Sequence, residues 1–265
     1  MIIVRRDNER QLLEADTLVA ASLPGAQLAY ANLAGCDLTR ADLRGADICQ
    51  ADLRGTRFSE ANLTSADITL SDIADADFAR CMLGDVRLQA VGLRDKSPVR
   101  VNFSGADLTR ATLKHSNLTE SAFTNAVMHR VDLTRCNLRG ADLSGADLSA
   151  ADLSFANMTG ANLAFASLVG ATLNGAVIEG ADLSSADLSL VCFNGTKCAG
   201  AKFVGSLWSK TVLARAQGLD STQGLDALRF GDPSSIDMWS LRSGGGALPA
   251  AFLRHVGSEP GTARP

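Results

Sequence analysis

The chain has 265 residues, a formal net charge of −4, 46% hydrophobic residues and six cysteines. The hydrophobic content suffices for a packed core, no apolar run reaches the roughly 18 residues of a membrane span, and no basic face or aromatic stacking series suits direct nucleic-acid binding. The N-terminal MIIVRRDNER lacks the apolar core of a signal peptide, so the chain is expected in the cytoplasm.

Residues 1–20 are predicted to cap the N-terminal end, with Ile2–Val4 as a short strand and Asp7–Glu14 as a turn of helix. From residue 21 one motif takes over, plainest in ADLSG ADLSA ADLSF ANMTG ANLAF from 141 to 165. A period of five suits neither regular element. On an α-helix successive leucines would rotate by about 140°, and no face would gather them. On a continuous strand every second leucine would change sides. The repeat makes sense if each pentapeptide is a short extended piece followed by a corner: Ala141 and Leu143 inward, Asp142 outward, Ser144 and Gly145 turning the chain. Four corners close a square coil of about 20 residues, stacked on its neighbours at about 4.8 Å. Four small and four large side chains share each narrow cross-section, which is why alanine alternates with leucine.

Every fifth residue from Leu23 to Leu213 is a centre of this kind. Of 39 centres, 37 are Leu, Ile, Phe, Met or Trp, the exceptions being Pro98 and Cys198. Two residues upstream, 38 of 39 positions are Ala, Cys, Ser, Thr or Val, the exception being Lys96. On these residues the chain resembles the pentapeptide-repeat family, whose pattern is A(D/N)LXX. The resemblance implies an all-β solenoid, a right-handed quadrilateral β-helix of about nine to ten coils and about 45 Å over residues 21–215.

Lys96 and Pro98 both fall on inward positions, where a charge would lack a partner and a proline would lack its ladder donor. The stretch is therefore predicted to leave the core as a loop near 94–100, built from Arg94, Asp95, Lys96, Ser97 and Pro98 and holding one whole pentapeptide. A loop on an otherwise smooth rod is a candidate contact point.

Charge is uneven along the repeat. Residues 21–139 carry 14 acidic and 14 basic side chains, whereas 140–196 carry Asp142, Asp147, Asp152, Glu179, Asp182 and Asp187 and no Lys or Arg. Residues 197–215 return to positive through Lys197, Lys202, Lys210 and Arg215. The six acidic residues form a candidate interaction surface. One branch of the family resembles duplex DNA in shape and negative charge and binds type II topoisomerases. The resemblance therefore implies DNA gyrase or topoisomerase IV as one partner, with resistance to gyrase inhibitors as the outcome. The exposed Arg40, Arg44, Arg54, Arg57 and Arg80 in the first coils run against it.

After Arg215 the repeat is lost, and 216–257 reads as a helical C-terminal cap. Ser234 or Ser235 is placed to cap a helix through Leu241, and Pro249 to open LPAAFLRHV, with Gly257 as its stop. Trp239, Leu248, Phe252 and Leu253 supply apolar surface, read as a patch that docks on the last coil and serves as a homodimer contact. Residues 258–265 are expected to be a disordered tail. The segment Ser234–Gly257 also resembles the connector that joins some pentapeptide-repeat solenoids to a Toll/interleukin-receptor effector domain, which is missing here. That resemblance implies a separately encoded effector as a partner.

Nothing in the sequence converges on chemistry. A rod filled by its own side chains offers faces rather than clefts. His115 and His129 are not a whole coil apart, so they do not stack as a ligand pair. Cys36, Cys81 and Cys136 occupy small inward positions and Cys198 a centre, so they read as reduced structural thiols, with Cys49 and Cys192 outward. The aspartates before the centres read as turn chemistry. No catalytic, cofactor or metal site is expected, and the reading is a non-catalytic scaffold whose partner is another protein.

Overall fold

The structure, a computed structural model, describes residues 2–6, 9–13, 18–92, 99–243 and 248–256. Its body is a stack of square coils in which each side is a few extended residues. Each side pairs with the coil before and the coil after, both in parallel. Leu143 N–H donates to the Asn162 carbonyl at 2.7 Å, and Asn162 N–H donates back to the Ala141 carbonyl at 2.9 Å. Repeated on four sides, this pairing turns a chain of short strands into continuous sheets with no lateral edge. One side runs unbroken from Ser22 through Asp42, Asn62 and Met82 to Leu207 and Arg229.

The corners explain the fourth and fifth letters of the motif. Ala146 N–H closes the turn on the Leu143 carbonyl at 3.1 Å, and Gly145 between them has φ of 66°. A positive φ at the third residue is what a type II turn requires. It recurs at residue 20 and at every fifth residue from there to 215 among those described.

Inward residues are almost entirely buried from Ala31 onward. One inner wall stacks four phenylalanines, with ring centroids 4.7 Å apart for Phe58 and Phe78, 5.2 Å for Phe78 and Phe103, and 5.0 Å for Phe103 and Phe123. At most described positions where the small residue is Ser, Thr or Cys, its side chain donates to a carbonyl of the preceding coil, while Ser206 donates to Phe203 in its own turn at 2.8 Å. Thr56 Oγ1 reaches Leu33 at 2.8 Å, Ser71 Oγ reaches Ile48 at 2.8 Å, and Cys81 Sγ reaches Phe58 at 2.7 Å. A polar atom on the inner wall is thus satisfied without water.

One coil is longer than the rest. Asp67 pairs with Arg87, the ordinary step of one coil, but Asp77 pairs with Asn102, a step longer by one pentapeptide. The ordinary step then returns, as from Asn102 to Ala122. One whole extra pentapeptide therefore enters between Gly92 and Val99. Residues 93–98, and with them Arg94, Asp95, Lys96, Ser97 and Pro98, lie outside the described residues. Val99 and Arg100, the far end of the expected loop, belong to the coil. The Val99 carbonyl accepts from Asp75 N–H at 2.8 Å, and Arg100 pairs with Glu120.

The ends depart further from expectation. At the N-terminus, β1 (Ile2–Arg6) and β2 (Glu9–Leu13) pair antiparallel with Ile2 opposite Leu13, so Glu9–Leu13 is a strand in place of the helical turn expected over Asp7–Glu14; Asp7, Asn8 and Glu14 lie outside the described residues. A single turn of helix is marginal in isolation, while a facing strand offers a hydrogen bond at alternate residues.

At the C-terminus the ladder does not stop at Arg215. Gln217 pairs with Lys197 and Gln223 with Lys202. Beyond them β3 (Leu207–Trp208) pairs in parallel with β5 (Arg229–Phe230), and β4 (Val212–Leu213) with β6 (Ser235–Ile236). One more coil with longer corners is laid down after the letters of the repeat have gone. Ser234 and Ser235 are part of it. The cap of α1 (Met238–Ser243) is instead Asp237, whose Oδ1 accepts from Ser240 N–H at 2.7 Å. Then α2 (Ala250–His255), preceded by Pro249, closes the column, with Phe252 set edge-on against Trp208 at 5.7 Å between centroids. Among the described residues no helix is long and apolar enough to cross a membrane.

Candidate interaction surfaces

The four sides of the rod are the surfaces on which this chain can act. In the middle coils the chain meets them as the sides of Asp142, Asp147, Asp152 and Asn157, in that order. The outward Asp or Asn has a local task first. Its Oδ1 accepts from the N–H two residues on, as in Asp142 to Ser144 at 3.0 Å and Asp152 to Ser154 at 2.9 Å, which holds the chain in its corner. The free carboxylate oxygen then decides the character of the surface.

Before residue 140 those carboxylates are mostly neutralised in place. Arg57 bridges to Asp37 at 2.8 Å, Arg80 to Glu60 at 2.9 Å and Arg87 to Asp67 at 3.1 Å, each joining one coil to the next. Arg44, Arg54, Arg100, Arg110 and Lys114 are likewise paired with carboxylates.

Over residues 140–196 the carboxylates gain one basic partner among the described residues, Lys202, which stands 3.7 Å from Asp182. Burial acts to raise Asp142, but hydrogen bonds from Ser144, Thr124 and Asn162 outweigh it and hold its carboxyl below the ordinary value. Asp182 is lowered in the same way, through Ser184 and Lys202. Both are anionic at neutral pH.

The six acidic residues do not share one face. Asp142 and Asp182 are on one side, with Asn162 between them on the ladder, and Asp147 and Asp187 flank Ser167 on the next. Asp152 is on the third side, and Glu179 sits in a corner beside the fourth. The acidic stretch wraps the rod, and its densest part is the edge shared by the Asp142 and Asp147 sides.

That edge carries a feature the sequence reading passed over. Phe165 occupies a corner position there and is 73% exposed. Phe155, on the diagonally opposite corner, is 59% exposed and lies 5.5 Å from the Arg135 guanidinium. The signal was available, since any aromatic at the fifth position of the motif must stand on a corner and outside the core.

The C-terminal set divides. Leu248 and Phe252 are buried within the cap, Leu253 is half-buried and Trp239 is half-exposed beside the exposed Met238. Closing the column takes up Leu248 and Phe252, which leaves Trp239 as the member of the set on the surface.

The cysteines are free thiols. Burial pushes Cys81, Cys136 and Cys198 up to about 12, so they are protonated and unreactive at neutral pH. Among the described residues no group of His, Cys, Asp and Glu is arranged to hold a metal ion.

Comparison with known proteins agrees with this architecture. Comparison with curated proteins finds no match to the sequence. Among solved structures, HetL, a pentapeptide repeat protein involved in heterocyst differentiation regulation from the cyanobacterium Nostoc sp. strain PCC 7120, is 24% identical over 87% of this chain and 92% of its own, with a TM-score of 0.35. A pentapeptide repeat protein from the Arabidopsis thaliana thylakoid lumen is 40% identical over 34% of this chain and 63% of its own, with a TM-score of 0.34. QnrB1, a plasmid-mediated fluoroquinolone resistance protein, is 17% identical over 86% of this chain and 97% of its own, with a TM-score of 0.42. The family model for pentapeptide repeats matches eight copies between residues 21 and 195, leaving a gap only at 81–101 around the long coil. With more than half of its length matched in this way, and with square coils closed by a corner every five residues, the chain belongs to the pentapeptide-repeat family and folds as a right-handed quadrilateral β-helix.

Proposed function

We propose that this protein is a non-catalytic scaffold in the cytoplasm that acts by binding another protein along its outer faces. The observation that carries the reading is the filled interior. From Ala31 onward the described inward side chains are buried except for the half-buried Cys36, so recognition is left to flat faces and to the few side chains that project from corners. The C-terminal segment, which adds a coil and a plug, is the natural place to recruit a separately encoded effector, with Met238 and Trp239 exposed on its surface. A homodimer through the same end would rest on Trp239. The test is reconstitution: intact protein mixed with a candidate partner should elute as a stoichiometric complex. A partner that binds a truncation ending at Arg215 equally well would remove the C-terminal role.

A second reading is favoured by the acidic stretch, which holds six carboxylates and no Lys or Arg over residues 140–196. It is that the rod imitates duplex DNA and binds DNA gyrase or topoisomerase IV, conferring resistance to gyrase inhibitors. Dose-dependent inhibition of gyrase supercoiling, weakened by neutralising Asp142, Asp147, Asp182 and Asp187, would support it. An enzyme indifferent to tens of micromolar protein would end it. The charge-balanced coils before residue 140 count against it, since a DNA mimic needs an acidic surface along its length.

A further inference from the structure

Exposed apolar side chains on a solenoid stand out, because every inward position offers them burial. Phe165 is 73% exposed and Leu190 is 55% exposed, and both are at corners that bound the Asp147 side of the rod. Phe165 is one coil above Asp142 and Asp147 and one coil below Asp182 and Asp187, since the ladder runs Asp142, Asn162, Asp182 on one flank and Asp147, Ser167, Asp187 on the other. At about 4.8 Å per coil, the four carboxylates frame the ring above and below on both sides. The nearer corner residues are Gly145 and Ser185, so nothing large on its own edge covers the ring.

We propose that this corner is a docking surface for a basic protein segment, with an arginine or lysine of the partner stacked on Phe165 and flanking basic groups paired with Asp142, Asp147, Asp182 and Asp187. The reading deepens the scaffold function and rests on it. Charge complementarity selects the occupant. Among the described residues only Lys202, 3.7 Å from Asp182, is ion-paired with these four carboxylates, so the corner keeps a net negative charge that repels an anionic membrane or a nucleic acid and draws in a cationic segment. The ring face is the one surface on this edge that rewards a cation beyond simple pairing, because its negative quadrupole attracts a desolvated guanidinium. Phe155 shows the same geometry satisfied within the chain, with Arg135 over its ring; Phe165 has no such internal cation among the described residues.

The test uses the full chain and a fluorescein-labelled peptide of alternating arginine and glycine, followed by anisotropy at about 20 mM and about 150 mM salt, conditions that bracket strong and ordinary screening. Binding is expected to weaken about three- to tenfold in Phe165→Ala, in line with a cation–π contact, and to be restored or improved in Phe165→Trp. The double variant Asp147→Asn with Asp187→Asn should weaken binding and flatten its salt dependence, while Phe155→Ala should leave it unchanged. Equal losses in Phe165→Ala and Phe155→Ala, no loss in Phe165→Ala, or no binding by the unaltered chain at the lower salt would each overturn the proposal. None of these touches the scaffold reading, which stands or falls on stoichiometric complexes of the intact chain.

Discussion

A residue at the fifth position of the motif must hold a positive φ, and only glycine does so without strain. Yet 25 of the described corners carry other residues, among them Arg, Glu, Leu and Phe, each at a cost of about 1 kcal/mol. Ala150, with φ of 57°, gives the cleanest measure, because its methyl is on the surface and no packing is lost on removal. Ala150→Gly is expected to raise the denaturant midpoint by an amount equivalent to about 0.5–1 kcal/mol, reversing the usual cost of glycine. The inner wall gives the opposite case. Ser71 Oγ donates to the Ile48 carbonyl and accepts from Ala51 N–H at 3.1 Å, standing between two ends of a turn that bond each other directly in other coils, so Ser71→Ala removes two buried hydrogen bonds for at most one in return. A loss of about 1–3 kcal/mol is expected, against little change for Ala66→Ser nearby if that hydroxyl finds the same kind of carbonyl. These roles were partly legible in the sequence. Inward and outward positions followed from the period alone, but the hydroxyl-to-carbonyl bonds join one coil to the next, and no local pattern announces them.

The short elements at the ends matter more than their length suggests, because each must stop a column that would otherwise expose an apolar cross-section. At the C-terminal end this falls to Phe252, fully buried against Trp208, whose indole N–H donates to Ser206 Oγ at 3.0 Å. Phe252→Ala should cost about 3–5 kcal/mol of cap stability and free α2 from the last coil. In a Trp239→Phe background, the emission of Trp208 should then shift to the red; an unshifted spectrum would mean the plug is held elsewhere. His255 sits on the same helix, stacked on Phe230 at 4.2 Å with Nε2 3.0 Å from Ser234 Oγ, and burial lowers its pKa. A histidine held neutral in the folded cap contributes fully above its unfolded value of about 6.5 and progressively less as pH falls below it. Docking of α2 should therefore weaken as pH falls below about 6.5, and His255→Gln should remove that slope. These end elements were the least legible part of the chain. The extra coil over 216–236 pairs through its backbone and carries no repeat letters, and Asp237 rather than a serine caps α1 because both serines are already used by the ladder.

At the scale of the whole rod, the sequence tolerates one interruption, and the ladder shows how. The wall of aromatic residues continues across the long coil, with Phe103 stacked on Phe78 at 5.2 Å across the inserted pentapeptide, much as Phe78 stacks on Phe58 across an ordinary coil. A whole pentapeptide inserted at one corner leaves the five-residue register of every later coil intact, whereas the last coil, whose corners grow by single residues, has to abandon the repeat letters. The inward Lys96 and Pro98 made the insertion visible in the sequence; its upstream limit at Gly92 and its downstream limit at Val99 needed the pairing. Deleting Arg94–Pro98 leaves Leu93 directly before Val99 and returns this coil to the length of its neighbours. Because Val99 is buried and its carbonyl is used by Asp75, the deletion must stop before it. The shortened chain is expected to fold with a melting temperature within about 3 °C of the parent, the shift that about 1 kcal/mol produces at this size. Removing Asp95–Val99 instead, a deletion of equal length shifted by one position, should melt markedly lower, because it sets Arg94 in the place of the buried Val99 and so puts a charged side chain where an apolar one is packed. Equal melting temperatures for the two deletions would show that burial of the Val99 side chain is not what fixes the end of the insertion.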